Sequence, residues 1–571
     1  MRELRLVPAA ASVWAATLAV VLGWPLVGLG VVGAVVVAAV LRRHVGQALV
    51  VAATGGVAMV VALVRQARAA AFAPTGQLEG ELQSAPVALD SGGWLLRLDV
   101  EGVPGAVPVF SESLPGGAGF AAPPAGTRVA VDGTVSESNR PGVVDVVVNG
   151  EVTTVAAPQG WAGWAAGVTE KFQAVVLDTV GPASQGLLPG MVLGDVGLQD
   201  AAERALYVET GLSHLSAVSG ANVVVVTAAA ALVARWARAS PLGQVLSALG
   251  ALAVFVTLVG AEPSVLRAAV TGMVGLLAVV NSSRMEPVHG LCLAIIALLW
   301  WDTELAVNYG FALSVAATAG IVALQPVFYR WLAPLGLPDL LTRAFAVAVA
   351  ADIVTIPIVA LMAGEVSVVS IVANVAVAPA TAPVTVVGLL AAIAVNIPWI
   401  GAPLAGVLLK MVEPCTWWIN SVAHTVRDLP LAVVTAGPVA VTLVYGWVVA
   451  GFLFHRPRLT VTLVLSLAAV LGLVGSLGYA PAWIQARGGA RLHTSAPEVD
   501  LTGLRAHVVG TDDDIGPVPP GTQVIVVLSG EGAAADRPTR TQDHIPVLYP
   551  ARDGPVRVYA DGTQHAVDGR F

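Results

Sequence analysis

Long apolar stretches, separated by short polar turns, recur over most of this chain and fall into two blocks with one polar segment between them. A helix that crosses a membrane needs about 20 predominantly apolar residues, because the hydrocarbon layer offers no water to an unpaired backbone group. Residues 1–70 hold the first block, which we expect to form the N-terminal transmembrane helices. The second block contains candidate spans near residues 214–235, 243–260, 264–280, 287–301, 305–325, 342–363, 366–396, 432–454 and 459–480. The pattern predicts a polytopic α-helical membrane protein with about 11–13 spans.

Two prolines, Pro379 and Pro383, interrupt the candidate span at 366–396. A proline inside a helix removes one backbone hydrogen bond and clashes with the preceding turn. The sequence therefore leaves open whether this stretch forms one span or two half-spans.

The composition excludes a soluble enzyme. Hydrophobic residues make up 56% of the chain and charged residues 12%, and the mean hydropathy is +0.80. This charged fraction is about half that of an ordinary soluble domain. The formal net charge of -8 argues against a generally basic nucleic-acid-binding protein. Cys292 and Cys415 lie among apolar and aromatic residues, which indicates packing rather than a disulfide framework or a thiolate metal site.

The polar segment between the two blocks, residues 74–158, has the pattern of a small β domain. Turns rich in proline and glycine separate short runs in which apolar and polar residues alternate, such as Trp94 to Val100 and Val143 to Val148. Alternation of this kind is typical of half-buried strands. The segment carries 3 arginines and 10 carboxylates, a net charge of -7, so its surface does not attract phosphate by itself.

The remaining segments differ in periodicity and charge. Residues 160–182 are expected to form an amphipathic helix at the membrane interface or, in the alternative, a helix packed on the β domain. Residues 185–400 form the predicted transmembrane core, and residues 401–430 a further amphipathic segment. Residues 431–480 are expected to hold the last transmembrane helices, and residues 485–571 a short β-rich C-terminal segment.

The positions of basic residues predict which side of the membrane each loop occupies, because arginine and lysine favour the cytoplasmic side. Arg42 and Arg43 follow one predicted span, and Arg456 and Arg458 follow another. They place both the β domain and the C-terminal segment outside the cytoplasm. Arg65 and Arg68, near the end of the first block, oppose this assignment.

Ionisable and amide side chains lie in or beside the predicted spans, at Asn222, Glu262, Arg267, Asp352 and Asn374. An arginine or aspartate at the centre of a span costs on the order of 2.5–3.5 kcal/mol on insertion scales, so it requires a partner or water. These residues predict a polar interior through which a solute passes. In the alternative, Arg267 forms an ion pair with Asp352 or Glu262 that only fixes helix packing.

The segment TGLSHLSAVSGANV, residues 210–223, places small and polar residues directly before an apolar run. Gly211 and Gly220 allow the backbone to turn or to approach closely, and polar groups beside them suit an entrance. These polar groups are Ser213, His214, Ser216, Ser219 and Asn222. His214 and Ser219 are a base and a nucleophile by residue type, so an intramembrane hydrolase stays as an alternative. Their spacing alone shows neither an oriented pair nor an oxyanion site.

This segment, preceded by LGDVGLQDAAERALYVE at 193–209, resembles the signature of the ComEC family of competence proteins. Three further segments resemble motifs of the family in the same order: GAEPSVLRAAVTGMVGLLA at 260–278, NYGFALSVAATAGIVAL at 308–324 and ADIVTIPIVALMAGEVSVVSIVANVAVAPA at 351–380. Members of the family conduct single-stranded DNA through the cytoplasmic membrane during natural transformation. The resemblance therefore implies a DNA-uptake channel. It also implies that the β domain is the OB-like domain that such proteins carry before the channel core.

The resemblance and the polar pattern together nominate functional residues. The expected DNA path contains His214, Ser219, Asn222, Glu262, Arg267, Asp352 and Asn374, and the expected structural motif residues are Gly211, Gly220, Pro263, Gly310 and Phe311. Arg267 is the expected phosphate-facing cation. Ala221 and Asn222 stand where the family usually has leucine and histidine, so no role that requires an imidazole is expected there.

The sequence predicts no catalytic residue, no metal site and no cofactor. The family commonly ends in a metallo-β-lactamase-like domain, whereas the histidines after residue 485 are scattered and form no H-x-H-x-D-H run. The sequence also has no P-loop of the G-x-x-x-x-G-K-[ST] kind. Energy for transport is therefore expected to come from another protein.

The resemblance implies single-stranded DNA as the substrate and membrane lipid as the surroundings, in the cytoplasmic membrane. An extracytoplasmic DNA-receptor protein and a cytoplasmic motor or single-strand-binding protein are the expected partners, and a homo-oligomer is compatible with the sequence. A transporter for another solute or for an envelope precursor is the main alternative, because the same polar residues would serve a smaller anion.

Overall fold

The structure is a computed structural model, and it describes residues 4–72, 76–89, 93–114, 122–138, 140–218, 220–260, 262–280, 286–336 and 338–429, with short segments between residues 433 and 566. The chain divides into two compact units, Met1–Thr460 and Val461–Phe571. The first unit contains the helices described below and a β-barrel, and the second contains short strands.

Three apolar helices open the first unit: α1 Val7–Val21, α2 Pro25–Leu41 and α3 Val45–Ala70. Small residues allow them to approach closely. A methyl group at Gly28 would lie 3.2 Å from the Ala16 carbonyl oxygen, and one at Gly55 would lie 2.9 Å from Val32. Close contact through small residues is the packing mode typical of membrane helices.

A β-barrel follows, built from the predicted β segment. Its strands are β1 Gln77–Leu82, β2 Val87–Ala88, β3 Trp94–Asp99, β4 Ala106–Ser111, β5 Arg128–Glu137 and β6 Val146–Ala156. The strands pair in the order β1, β5, β6, β4, β3, and β1 also pairs with β3, which closes the ring. The β4–β6 pair is parallel, and the other pairs of the ring are antiparallel. Alternate aliphatic side chains, such as Leu96, Leu98 and Val107, are buried and fill the interior.

The helical core begins after the barrel. Its helices are α4 Gly160–Thr179, α5 Pro182–Gln185, α6 Leu187–Leu193, α7 Ala201–Glu209, α8 Gly220–Trp236, α9 Pro241–Val259, α10 Pro263–Val280, α11 Pro287–Trp301, α12 Tyr309–Leu332, α13 Asp339–Ala363, α14 Ser370–Ala394 and α15 Gly401–Arg427. Several begin with proline, whose fixed φ suits the first helical position and whose missing N–H is not needed there. After α13, strand β7 Glu365–Ser367 pairs antiparallel with β8 Val433–Thr435.

Among the described residues, five helices are long and apolar enough to cross a membrane: Val45–Ala70, Pro241–Val259, Tyr309–Leu332, Asp339–Ala363 and Ser370–Ala394. Five shorter apolar helices accompany them: Val7–Val21, Pro25–Leu41, Asn222–Trp236, Pro263–Leu276 and Pro287–Trp301. Large apolar side chains on these helices, such as Val233 and Leu246, are exposed. Extended apolar surface of this kind is unusual for a protein in water. A mostly helical chain with long apolar helices and an early β domain agrees with the sequence prediction.

The candidate span at 366–396 is one helix, α14, so the alternative of two half-spans is wrong. Pro379 and Pro383 both lie on its exposed side. Two side-chain donors near the prolines add hydrogen bonds to the backbone of α14: the Trp418 indole N–H donates to the Ala376 carbonyl at 2.9 Å, and the Thr381 hydroxyl donates to the Ala378 carbonyl at 2.9 Å.

The amphipathic segment at 160–182 forms α4, which packs on the helical core. Its apolar face buries Phe172 and Val176 against α9 and α15. Trp161 and Trp164, at its first turn, remain exposed and meet edge to face with ring centroids 6.1 Å apart. The alternative in which this helix packs chiefly on the β domain is therefore not what the structure shows.

The second unit contains the strands β9 Ala506–Val509, β10 Val524–Val527, β11 Thr539–Arg540, β12 Pro546–Leu548, β13 Val556–Val558 and β14 Gln564–Ala566. The central strand β10 pairs parallel with both β9 and β12, and all its residues are buried. Strands that are covered on both faces read as continuous apolar runs. The spans predicted near 432–454 and 459–480 lie almost wholly outside the described residues.

Candidate functional site

The signature segment 210–223 runs from the end of α7 to the start of α8. Gly211 has φ +71°, and a side chain at this position would overlap with the Ser370 side chain. Only glycine satisfies both the left-handed backbone and the close approach. Gly211 therefore seats the signature segment directly on the first residue of α14.

The second motif, at the start of α10, meets the same segment from another side. The Ser264 hydroxyl donates to the Val218 carbonyl at 2.8 Å. A methyl group at Gly220 would lie 3.3 Å from the Ala268 methyl and 3.4 Å from a guanidinium nitrogen of Arg267. Glycine at the start of α8 thus leaves room for the arginine.

The third motif brings the start of α12 to the start of α10. The Asn308 side chain caps α12 by accepting a hydrogen bond from the Phe311 backbone N–H at 3.0 Å. Phe311 is fully buried and stacks on Trp14 of α1 with ring centroids 5.1 Å apart. One turn further along α12, the Arg267 Nε–H donates to the Ser314 hydroxyl at 2.8 Å.

The fourth motif links α13 to α14. The Ser370 hydroxyl donates to a carboxylate oxygen of Asp352, which is half-buried. Since Ser370 also contacts Gly211, the fourth motif joins the first. The four motif segments, distant in the sequence, therefore form one connected site.

The first residues of four helices, Gly220 of α8, Pro263 of α10, Tyr309 of α12 and Ser370 of α14, lie at the same end of the helical core. We call this group of helix starts the mouth. Each helix N-terminus carries a partial positive charge and backbone N–H groups without helical partners. Such N-termini favour anions even without a charged side chain.

Arg267 adds a full positive charge beside the mouth. Its partner in the structure is the neutral Ser314, and among the described residues no carboxylate lies within 4.0 Å of its guanidinium. Asp352 instead accepts from Ser370, and Glu262 is exposed just before α10. The alternative in which Arg267 forms a packing ion pair with Asp352 or Glu262 is therefore wrong for this structure. Its positive charge is free to attract an anion.

Three further path residues differ in accessibility. His214 lies in the 3-10 turn Ser213–Ser216 and is exposed, so a ligand at the mouth can reach it. Asn374 is half-buried in α14, and Ser219 lies outside the described residues.

Asn222 does not face an open path in this structure. Its side chain is 1% exposed, and its amide donates to the Met191 carbonyl at 3.0 Å. This bond fastens α8 to the end of α6. The polar residue type indicated a path, but a buried amide with a backbone partner fulfils a packing role equally well.

Three serines that were not among the predicted site residues link the helices of the site through side-chain hydrogen bonds: Ser264, Ser314 and Ser370. All three lie inside the segments that resemble the family. A serine one helical turn from a motif residue is weak evidence for a role in the site, because serine is common in apolar helices.

The barrel lies at the same end of the core as the mouth. Val307, two residues before α12, packs against the interior cluster of the barrel, as do Val21 and Ala69 at the ends of α1 and α3. The turn Thr303–Ala306, between α11 and α12, contacts the barrel through Glu304, which meets Gly105. A ligand on this side of the barrel would be close to the mouth.

Among the residues that the structure describes, no group of three or more histidine, cysteine, aspartate or glutamate side chains is placed to hold a metal ion. The polar groups of the site are hydroxyls, an amide, carboxylates and one guanidinium. Such a set can bind and guide a substrate through hydrogen bonds and charge.

Comparison with known proteins agrees with the motifs. A family model described as "Competence protein" matches residues 191–459. The ComE operon protein 3 of Bacillus subtilis (strain 168) is 26% identical over 295 residues, which is 51% of this chain and 35% of that protein. The match thus spans about a third of the length of this relative. No solved structure matches the chain. The resemblance to the ComEC family is confirmed, and residues 191–459 of this chain are a competence-protein domain.

Proposed function

We infer that this chain is an integral membrane channel that moves single-stranded DNA across the cytoplasmic membrane during natural transformation. The observation that carries this inference is Arg267, a cation without a carboxylate partner among the described residues, beside four helix N-termini. The match to the competence-protein family and to the ComE operon protein 3 supports DNA as the anion that Arg267 attracts. The long apolar helices support a place in the membrane.

A single strand presents a line of phosphates and flat bases, so its conduit needs few specific contacts. Arg267 attracts one phosphate at a time, and the helix N-termini at Gly220 and Pro263 spread the attraction over neighbouring phosphates. Because the helix dipoles are partial charges, the strand is attracted without being held. His214, Glu262, Asp352 and Asn374 are the further groups proposed along the path.

The barrel is proposed to be OB-like and extracytoplasmic. If the short β2 is left aside, the ring follows the order first, second, third, fifth, fourth strand and returns to the first, with the third and fifth strands parallel. A five-stranded Greek-key barrel of this order is the OB architecture, whose strand faces and loops bind single strands in other proteins. Its acidic charge calls for a receptor protein or cations to deliver DNA to it.

The expected partners follow from what the chain lacks in its sequence. No P-loop occurs, so we expect a cytoplasmic motor or single-strand-binding protein to pull the strand inward. The C-terminal segment is proposed to lie on the extracytoplasmic side with the barrel. We propose no catalytic role for the described residues.

The test is transformation frequency with purified donor DNA in the native host. A deletion strain is complemented with wild type, Arg267→Ala or Arg343→Ala at matched membrane abundance. Arg343 is a suitable control because it is exposed and pairs with Asp339 at 2.7 Å on α13. We expect wild type and Arg343→Ala to restore uptake and Arg267→Ala to fail, with DNA still bound at the cell surface. If the host transforms normally without the gene, the DNA assignment fails and transport of another anion takes its place.

A further inference from the structure

The contact between the barrel and the helical core centres on Glu304. The carboxylate reaches the turn between β3 and β4, where a side chain at Gly105 would overlap with Glu304 Oε1. The neighbouring Ala106 backbone N–H donates to the same carboxylate. Glycine at 105 is thus required for the side chain of Glu304 to reach the barrel.

The turn that carries Glu304 is anchored on its other side. The Asp302 carboxylate accepts from the Glu304 backbone N–H at 3.0 Å and lies 3.5 Å from the Arg65 guanidinium of α3. The Trp14 indole N–H of α1 donates to the Ala306 carbonyl at 3.1 Å. The turn is therefore part of the helical core, and Glu304 projects from it to the barrel.

The same turn leads into the helix that holds Arg267. Only Val307 and Asn308 separate this turn from Tyr309, the first residue of α12, and Ser314 of α12 accepts from Arg267. A displacement of the barrel therefore acts on the first turn of α12. The barrel thus contacts the turn through Glu304, and a short covalent segment joins that turn to the first residue of α12.

Burial of the Glu304 carboxyl opposes its ionisation. Burial and then the neighbouring Asp302 raise the pKa of Glu304 from the ordinary 4.5 to about 7, while the Ala106 N–H, Arg97 of the barrel and Arg65 act in the opposite direction. Glu262, just before α10, also faces Arg97. The charged groups at this junction are therefore Arg65 of α3, Arg97 of β3, Asp302 of the turn and Glu262 just before α10.

We propose that Glu304 is a positioning residue that holds the barrel at the mouth, and that its protonation sets how firmly the barrel is docked. A neutral carboxyl keeps an oxygen acceptor for the Ala106 N–H without adding a second buried negative charge beside Asp302. An ionised Glu304 gains solvation when the barrel moves away. Through this junction a DNA strand would pass from the barrel to the mouth, and this part of the proposal rests on the proposed function. Docking of the barrel itself does not require DNA.

The sign of the pH effect follows from proton linkage. The docked state binds the Glu304 proton more tightly than an undocked state, in which the carboxyl is solvated with a pKa near 4.5. Docking is therefore firmest below pH 4.5, weakens as the pH rises to about 7, and changes little above that. Each unit of pKa difference corresponds to about a tenfold change in the equilibrium, so we expect at least about a tenfold loss of docking between pH 5 and pH 8.

The test measures the distance between the barrel and the core by pulsed electron paramagnetic resonance on the full chain in lipid nanodiscs. Spin labels are placed at Glu137→Cys on β5 and Leu242→Cys on α9, both exposed positions, after Cys292 and Cys415 are replaced by alanine. We expect one distance at pH 5 and a second, broader population at pH 8. The variant Glu304→Gln, which is neutral at every pH, should show the docked distance at both.

Two glycine variants distinguish loss of the Glu304 contact from a general effect of an added methyl group on the barrel fold. Gly105→Ala should displace Glu304 and show the second population even at pH 5. Gly142→Ala is the matched control, because a methyl group there lies 3.5 Å from its nearest neighbour and is accommodated. A distribution that does not change with pH, or a Glu304→Gln variant that responds to pH as wild type does, would overturn the proposal. If docking responds as expected but transformation is unaffected by Glu304→Gln, the docking step stands and its role in DNA hand-over fails.

Discussion

The Nε–H of Arg267 donates to the Ser314 hydroxyl at 2.8 Å, and this bond joins α10 to α12 beside the mouth. Serine holds the guanidinium without neutralising it. An aspartate in the same place would have fixed the arginine equally well and cancelled its charge. The position of Arg267 and its availability to an anion therefore depend on the same neutral partner.

Replacement of Ser314 tests this relationship. Hydrogen bonds to charged groups contribute roughly 1.5–3 kcal/mol, so Ser314→Ala should let the guanidinium leave its position. We expect transformation to fall by about tenfold at matched abundance, a smaller loss than for Arg267→Ala. Ser314→Thr keeps the hydroxyl and should restore uptake. Normal uptake by Ser314→Ala would show that Arg267 is positioned by other contacts.

Gly211 should tolerate no side chain. Its φ of +71° and its contact with Ser370 both oppose a Cβ atom, so we expect Gly211→Ala to lower the free energy of unfolding by about 1–3 kcal/mol. Gly167→Ala in α4 is the control, because no atom lies within 4 Å of the new methyl group and alanine favours the helix. Thermal unfolding midpoints in detergent measure both. Equal midpoints for the two variants would contradict the assigned role of Gly211.

Asn222 should matter for stability rather than for the passage of DNA. Asn222→Ala leaves the Met191 carbonyl without its side-chain donor, at a cost of about 1–3 kcal/mol. We expect a lower unfolding midpoint and lower membrane abundance, with uptake per molecule close to wild type. Reduced uptake per molecule at unchanged stability would instead place this amide on the path.

Salt dependence should report the phosphate contact of Arg267. For single strands, the logarithm of the binding constant falls with the logarithm of salt concentration by about 0.7 for each phosphate that is neutralised. Binding of a labelled oligonucleotide to the protein in nanodiscs, followed by anisotropy over a salt series, gives this slope. Arg267→Ala should reduce it by about 0.7, and Arg343→Ala should leave it unchanged. Equal slopes for wild type and Arg267→Ala would remove Arg267 from the phosphate contacts.

The local structure of the chain was predictable where one physical rule dominates. Apolar runs of helical length became helices such as α9 and α12, and the alternating runs at Trp94 and Val143 lie in the barrel segment. The prediction for α14 was ambiguous because proline weakens a helix by itself, whereas α14 packs against the neighbouring α15, whose Trp418 donates to the Ala376 carbonyl. This support depends on tertiary packing.

The candidate site was predictable in its residues but not in its connections. Arg267 was identified because an isolated cation in an apolar helix is costly. It was expected to face phosphate, and the carboxylates Asp352 and Glu262 were its partners only in the alternative; the structure pairs it with the neutral Ser314. Asn222 was expected on the path because it is polar, and it is buried. Polarity of a residue indicates that a partner is needed, and only the packing of helices shows which partner it is.

The closure of the barrel determines how other molecules can attach to it. β1 pairs with both β5 and β3, which closes the ring, although the β1–β3 and β4–β6 ladders join only two residue pairs each. A partner protein could therefore attach by β-augmentation only along the short stretches of strand that these two ladders leave unpaired. Side chains and loops must therefore provide most of the contacts with a receptor protein or with single-stranded DNA. Their chemistry can change without disturbing the backbone pairing that maintains the barrel.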